Sequence, residues 1–329
     1  MEHAPTILEV RDAALRLAGL AVRTPLIEHP ALNEVAGGRV LLKAENMQRV
    51  GAFKFRGAFN AISRIDPSRH PGGVVACSSG NHAQGVAAVA ALCKIPAAIV
   101  MPSDAPALKR ARTEGYGAEV VPYDRSSEDR EEIARGLAEE RRAAFVHPFD
   151  DPYVIAGQGT VGLELMEQAA ERELVPDEVL VCCAGGGLLS GVSLAVKDAN
   201  QATTVRPVEP AGFDDFARSL HAGERQLNTR KSGSICDALL VETPGKRTFE
   251  IARRTCDAGV VVSDDEAREA MRFAFQELKI VLEPGGAVAL AAVVSGKLPT
   301  RDRTVSCVLS GGNVDPDLFA ETIRVQPSA

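Results

Sequence analysis

The feature that most narrows what this chain can fold into is a regular alternation of short β-branched runs with longer amphipathic stretches. Residues 73–77, 97–101, 119–123, 178–183, 204–209, 259–262 and 304–309 are apolar runs of strand length. Between and around them, apolar residues recur at helical spacing over 7–20, 82–92, 126–142, 154–170, 264–279 and 286–294. Strand, crossover helix, parallel strand is the arrangement such a pattern builds, so the expected class is α/β, with mostly parallel sheets covered by helices. At 329 residues the chain is long enough for one large domain or two modest ones. The Pro and Gly cluster at 70–73 and the segment 147–152 bracket about half a sheet's worth of strands. The expectation is a smaller domain over 73–150, inserted into a larger one of 1–72 and 151–329.

Charge and composition exclude several classes of function. There are 37 basic and 44 acidic residues, a net charge of −7, no Trp and 14 Phe plus Tyr. A nucleic-acid groove needs a basic stripe with stacking aromatics, and this chain offers neither. Seven scattered cysteines without a Cys-x-x-Cys pair suit a reducing compartment better than a disulfide framework or a zinc site. The first 22 residues mix charges with apolar positions, and no run approaches the roughly 18 apolar residues of a membrane span. A cytoplasmic, untargeted protein is expected, with no membrane or nucleic-acid partner.

Three strand ends carry residues suited to anions. The first strand leads into Ser78-Ser79-Gly80-Asn81-His82 at a helix start. Free N–H groups and the helix dipole there favour a carboxylate or phosphate, although a plain N-cap by Ser or Asn accounts for the same residues. Another strand leads into Ala184-Gly185-Gly186-Gly187-Leu188, whose adjacent glycines let backbone wrap round a phosphate. A dinucleotide fingerprint is the rival, with Glu209 where a ribose acceptor would sit; its spacing fails, because Ser190 stands where the third glycine belongs. The third turn is Ser310-Gly311-Gly312-Asn313, after the last strand. Ligands of open α/β sheets collect at the carboxyl ends of strands, so the three turns point to one shared polar site.

Gly51-Ala52-Phe53-Lys54-Phe55-Arg56-Gly57-Ala58 sets a lysine between two phenylalanines. Taken as an alternating stretch, it leaves Lys54 and Arg56 in solvent. Were the lysine buried, desolvation would lower its pKa and free a neutral amine able to form an imine.

The blocks "AENMQRVGAFKFRGAFNAI", "CSSGNHAQGVA", "HPFDDPYVIAGQGTVGLE", "CAGGGLLSGV", "VEPAGFDDFARSL", "EPGGAVALAA" and "LSGGNVD" occur in this order. Together they resemble the fold-type II pyridoxal-phosphate enzymes, in the branch of the serine/threonine dehydratases and serine racemases, from about Leu15 to Asp315. Two positions depart from the common pattern: Ala52, where many relatives have Ser, and Ala184, where many have Gly. Neither removes a backbone donor.

The resemblance implies a tryptophan synthase β-like fold of two lobes, each with a mostly parallel sheet covered by helices, and pyridoxal 5'-phosphate as cofactor. It implies that Lys54, beside Phe53, is the Schiff-base lysine and the base at Cα. Ala184, Gly185, Gly186, Gly187 and Leu188 hold the cofactor phosphate, Asn81 bonds the phenolic oxygen, Ser310 faces the pyridine nitrogen, and Glu283 lies near the ring. Ser78, Ser79, Asn81 and His82 receive the substrate carboxylate, and Arg130 approaches the substrate. With Ser310 as a neutral partner the ring is a weaker electron sink, which favours expulsion of a β-hydroxyl and release of a 2-oxo acid and ammonia. Ser79 is either an acid/base on the face opposite the lysine, which permits racemisation, or a carboxylate ligand.

Glu209, the Phe213 carbonyl and Asp215 match a structural cation site of serine racemase-like relatives, for Mg²⁺ or Ca²⁺; helix capping explains the same acids. Biosynthetic threonine dehydratases carry a regulatory domain after the catalytic core, and this sequence ends soon after Ser310, so a stand-alone or catabolic enzyme is expected. The expected protein is a homodimeric ammonia-lyase for a small β-hydroxy amino acid, L-threonine or L-serine first. Serine racemase, 3-hydroxyaspartate dehydratase and a dehydratase of a bulkier 3-hydroxy amino acid are the alternatives. From other classes stand a non-catalytic ligand-binding protein and an NAD-dependent oxidoreductase.

Overall fold

The computed structural model describes residues 3–324 apart from 79, 106 and 125. Ser79 therefore lies outside the described residues. The strands are β1 (Leu26–Glu28), β2 (Arg39–Lys43), β3 (Val74–Cys77), β4 (Ala97–Pro102), β5 (Glu119–Tyr123), β6 (Ala144–Phe145), β7 (Glu178–Cys182), β8 (Thr204–Pro210), β9 (Val260–Val262) and β10 (Thr304–Val308). The helices are α1 (Ile7–Leu17), α2 (Pro30–Ala36), α3 (Lys54–Ile62), α4 (Asn81–Cys93), α5 (Ala107–Gly115), α6 (Arg130–Arg141) and α7 (Pro152–Ala170). They continue with α8 (Gly187–Ala199), α9 (Asp215–Ala222), α10 (Lys246–Thr255), α11 (Asp264–Phe273), α12 (Pro284–Val294) and α13 (Pro316–Ile323).

The strands form two sheets, in the orders β1-β2-β10-β7-β8-β9 and β5-β4-β3-β6. Every pairing is parallel except β1 with β2. Parallel strands must be covered on both faces, and β3 follows that rule. Val74 and Ala76 join Phe59 of α3 and Val86 of α4 in one core, while Val75 and Cys77 join Ala134 and Ala138 of α6 in another. In the larger core α12 is apolar on all sides, and its residues 284–293 are all buried. A helix with no polar face has to be internal. Asp129 and Asp151 cap α6 and α7 through their carboxylates, which explains where those helices begin.

The structure differs from the periodicity in places that have physical causes. β1 and β6 are three and two residues long, too short to leave a pattern. β2 is a buried central strand whose run ends in Lys43, a charge that masks it. The expected helix at 264–279 breaks into α11 and a π turn, Ala274–Leu278, closed by Lys279 at φ 60°. Residues 54–62, which as an alternating stretch would hold Lys54 and Arg56 in solvent, are helical, and Arg56 is 1% exposed. All seven cysteines are free thiols, and among the described residues no helix is long and apolar enough to cross a membrane.

Candidate active site

Ser78 follows β3, Ala184 follows β7 and Ser310 follows β10, and all three line one cleft of about 970 Å³. Lys54 enters this cleft from the first turn of α3. The stretch before it is strapped to the last glycine turn: Phe53 N donates to Ser310 O at 3.1 Å, Gly312 N donates to Gly51 O at 2.9 Å, and Ala52 bridges Gly311. The Lys54 amine donates to Pro148 O at 2.8 Å and lies 5.1 Å from the centre of the Phe53 ring. Burial pushes its pKa down to about 8; the Arg130 charge pushes the same way, and Cys182 and Glu283 oppose it.

Gly186 begins α8 at φ 91°, a backbone that only glycine adopts without strain. A Cβ on Gly185 would lie 2.3 Å from the Phe149 ring, and one on Gly187 would lie 2.9 Å from Phe149 O. The turn is fixed from behind, since Thr248 Oγ1 donates to Gly185 O at 2.6 Å and Gly245 N to the same oxygen at 3.1 Å. The amides of Gly185, Gly186, Gly187 and Leu188 donate to nothing among the described residues. Four free amides at a helix start make a cradle for an anion.

Asn81, at the start of α4, ties the two sides together. Its Nδ2 donates to Glu283 Oε1 at 2.5 Å, and its Oδ1 accepts from Asn313 Nδ2 at 2.8 Å. Burial raises Glu283 to about 7, with Asp237 adding to the rise. The His82 ring bonds Val146 O through Nε2 at 3.2 Å, and burial drives its pKa down to about 3, so the ring is neutral. Ser78 Oγ accepts from Gly80 N. Arg130 lines the cleft from the start of α6, and its guanidinium makes no hydrogen bond or ion pair among the described residues.

The cleft thus gathers Phe53, Lys54, Ser78, Asn81, His82, Arg130, Ala184, Gly185, Gly186, Gly187, Leu188, Glu283 and Ser310. Sequence reasoning missed four other contributors. Pro148 O receives the lysine amine; Cys182 lies beside Ser310, its thiol raised to about 12 by burial; and Lys109 of α5 pairs with Asp237 across the cleft. No local pattern marks any of them, because each is brought in by another element. Behind Lys54, Arg56 is held by Glu45 at 2.8 Å and Glu164 at 2.6 Å, and Glu164 also holds Lys43 at 2.6 Å. This buried network clamps α3 to α7.

The acidic cluster stands apart from the cleft. Glu209 accepts from Phe216 N at 3.0 Å and Ala217 N at 2.7 Å, so it caps α9 from β8. Asp215 accepts from Asn228 Nδ2 at 2.5 Å through Oδ1, while Oδ2 is buried without a partner. Burial pushes Glu209 well above the usual carboxylate range and Asp215 up to about 7. Among the described residues no three His, Cys, Asp or Glu side chains are grouped to hold a metal. Capping of α9 by Glu209 is therefore part of the structure.

Known proteins resemble this chain along nearly its whole length. It is 43% identical over 316 residues to an L-threo-3-hydroxyaspartate ammonia-lyase of Pseudomonas sp, covering 96% of this chain and 98% of that one. It is 38% identical over 317 residues to a serine racemase of Schizosaccharomyces pombe, with 96% of each covered. The structure of maize serine racemase superimposes with a TM-score of 0.91 at 37% identity, covering 98% of this chain and 97% of that one. Residues 17–311, which include the lysine, the glycine turn and Ser310, match the family described as pyridoxal-phosphate dependent enzymes, and the chain belongs to that family.

Proposed function

We propose that the protein is an ammonia-lyase that eliminates water and ammonia from a β-hydroxy amino acid, with 3-hydroxyaspartate ahead of L-threonine and L-serine. The observation that carries the elimination is the Lys54 amine, with its lowered pKa, in the same cleft as the free amides of the glycine turn. The residues fit pyridoxal 5'-phosphate: the glycine turn would hold its phosphate, Asn81 its phenolic oxygen and Ser310 its ring nitrogen. Bound there, the cofactor supplies the electron sink that makes a Cα proton removable. The protein's own part is to hold and move that proton at Lys54 Nζ, to orient the substrate carboxylate at the Ser78–His82 turn, and to exclude water.

Two observations move 3-hydroxyaspartate forward. Arg130 offers the cleft a guanidinium that is unpaired among the described residues, which a second carboxylate would satisfy. The Pseudomonas relative, at 43% identity, bears that activity in its name. A second reading, racemisation, is favoured by Ser79 in the sequence and by the similarity to a serine racemase. We further propose that the two sheets mark two lobes, 73–150 and the remainder, that the protein is a homodimer in the cytoplasm, and that Glu209, the Phe213 carbonyl and Asp215 hold Mg²⁺ or Ca²⁺. The orphan Asp215 oxygen supports the last of these.

The test is a panel of L-threo-3-hydroxyaspartate, L-threonine, L-serine and D-serine, scored for oxo acid and for inverted amino acid. Oxo acid from the first three, fastest from 3-hydroxyaspartate, is expected. A yellow protein that borohydride bleaches while fixing the cofactor covalently onto Lys54 would accompany it; a colourless protein that binds NAD would end this reading.

A further inference from the structure

The block His147-Pro148-Phe149-Asp150 joins the smaller sheet to the glycine turn, and its histidine has no part in the function argued above. We propose that His147 is a positioning residue that sets Lys54 against the phosphate cradle by holding this block in shape. The proposal rests on the pyridoxal-phosphate reading of the site.

Its ring is used on both sides. Nδ1 accepts from Phe149 N at 3.3 Å and from Asp150 N at 2.9 Å, and Nε2 lies 3.3 Å from Glu131 Oε1 on α6. Two amide donors leave no room for a proton on Nδ1, so the ring works as the tautomer with its hydrogen on Nε2. The side chain is 14% exposed, and the Phe149 ring stands edge-on to it at 4.6 Å.

Each residue of the block then meets the site. Pro148 O is the acceptor for the Lys54 amine at 2.8 Å. The Phe149 ring fills the place a Cβ on Gly185 would need. The Asp150 carboxylate accepts from Lys246 N, Arg247 N and Thr248 N at 3.1, 2.9 and 3.1 Å, and Thr248 Oγ1 in turn holds Gly185 O. One imidazole therefore fixes the turn from which both the amine and the glycine cradle take their places. Around metal sites, partners that orient a ligand without touching the metal change affinity or activity by about 10–100-fold when removed, and a loss of that order is expected here.

The two ring nitrogens can be separated by substitution. An Asn at 147 offers an acceptor near the position of Nδ1; a Gln reaches toward the position of Nε2. The full chain, reconstituted with pyridoxal 5'-phosphate, would be compared as wild type, His147→Asn, His147→Gln and Glu131→Gln. The readouts are the cofactor Kd, the fraction fixed to Lys54 by borohydride, Tm, and kcat separately from KM. His147→Gln should weaken cofactor binding by about tenfold or more and lower kcat with little change in KM. His147→Asn should restore most of both, and Glu131→Gln should stay within about twofold of wild type, since it leaves the amide contacts intact.

Rescue by Gln but not by Asn, a loss in Glu131→Gln equal to that of His147→Gln, or an effect confined to Tm would each overturn the proposal. Should His147→Asn fail to fold, the contrast between His147→Gln and Glu131→Gln decides by the same criteria. Wild-type protein that takes up no cofactor on Lys54 would overturn the functional reading and this proposal together, whereas normal uptake with any of the contrary patterns overturns this proposal alone.

Discussion

Lysine amines normally carry their proton far above neutrality, and a nucleophile or base is useful only when that proton can leave. Lys54 meets this need by location: burial in the cleft lowers its pKa to about 8, and Arg130 adds to the effect. Lys54→Ala should abolish elimination and the covalent fixing of cofactor by borohydride while leaving some cofactor held by the glycine turn; full activity would refute the assignment. In the cofactor-free protein the folded pKa lies below the unfolded one, so the unfolded chain binds more protons between about pH 8 and about pH 10.4. Stability should rise with pH across that window, and the full penalty should be present below it. Lys54→Met should thus raise Tm at pH 7, by a stability gain on the order of 3 kcal/mol, and the gain should shrink toward pH 10; a constant gap would show that the amine is well hydrated. Arg130→Met tests the substrate side, since losing one partner of a desolvated charge pair costs about 2–5 kcal/mol. kcat/KM for 3-hydroxyaspartate should fall at least tenfold more than for L-threonine. At this scale the motifs carried the convergence of Lys54, Asn81 and Ser310 on one cleft. It hid the burial of Arg56, because a helix starting at Lys54 reads as alternation over so few residues, and it hid Pro148 O, because a backbone carbonyl leaves no trace in residue type.

Among the elements, the glycine turn does most to define the site, and its glycines are required for different reasons. Gly186 needs a positive φ, while Gly185 and Gly187 need the absence of a side chain against Phe149. Gly185→Ala is the sharper probe, because its Cβ would meet the Phe149 ring at 2.3 Å. Overpacking of this kind typically costs about 1–3 kcal/mol. The expected outcome is a lower Tm together with weaker cofactor binding, measured by absorbance titration; unchanged binding would mean that the ring moves aside freely and that Phe149 plays no part in shaping the cradle. The elements legible beforehand are those whose burial repeats, such as β7, β10, α7 and α12. β1 and β6 exist only because a longer neighbour offers them an edge, and α11 ends early because a π turn absorbs an extra residue, so tertiary context decided all three.

Over the whole molecule, the two sheets each send strand ends toward one cleft, and this was legible from three polar turns placed after three apolar runs. What spacing could not decide is the state of the acidic pair on the far side of the glycine turn. Glu209 and Asp215 are both fully buried, repel one another, and make no ion pair among the described residues. Burying like charges is costly, so the pair is either satisfied by amides, Asn228 and the nearby Arg218 charge or completed by a cation. The two states predict opposite responses. If Mg²⁺ or Ca²⁺ binds the folded protein, its stabilisation is about 2.7 kcal/mol at a hundred times Kd, and Tm should rise by about 1.5 °C per kcal/mol and fall again with chelator. Asp215→Asn would remove that response, and by relieving the repulsion with Glu209 it should raise Tm in cation-free buffer. Should neither cation move the wild-type Tm at millimolar concentration, Glu209 is a helix cap for α9 and nothing more, and Asp215→Asn would then act on stability alone.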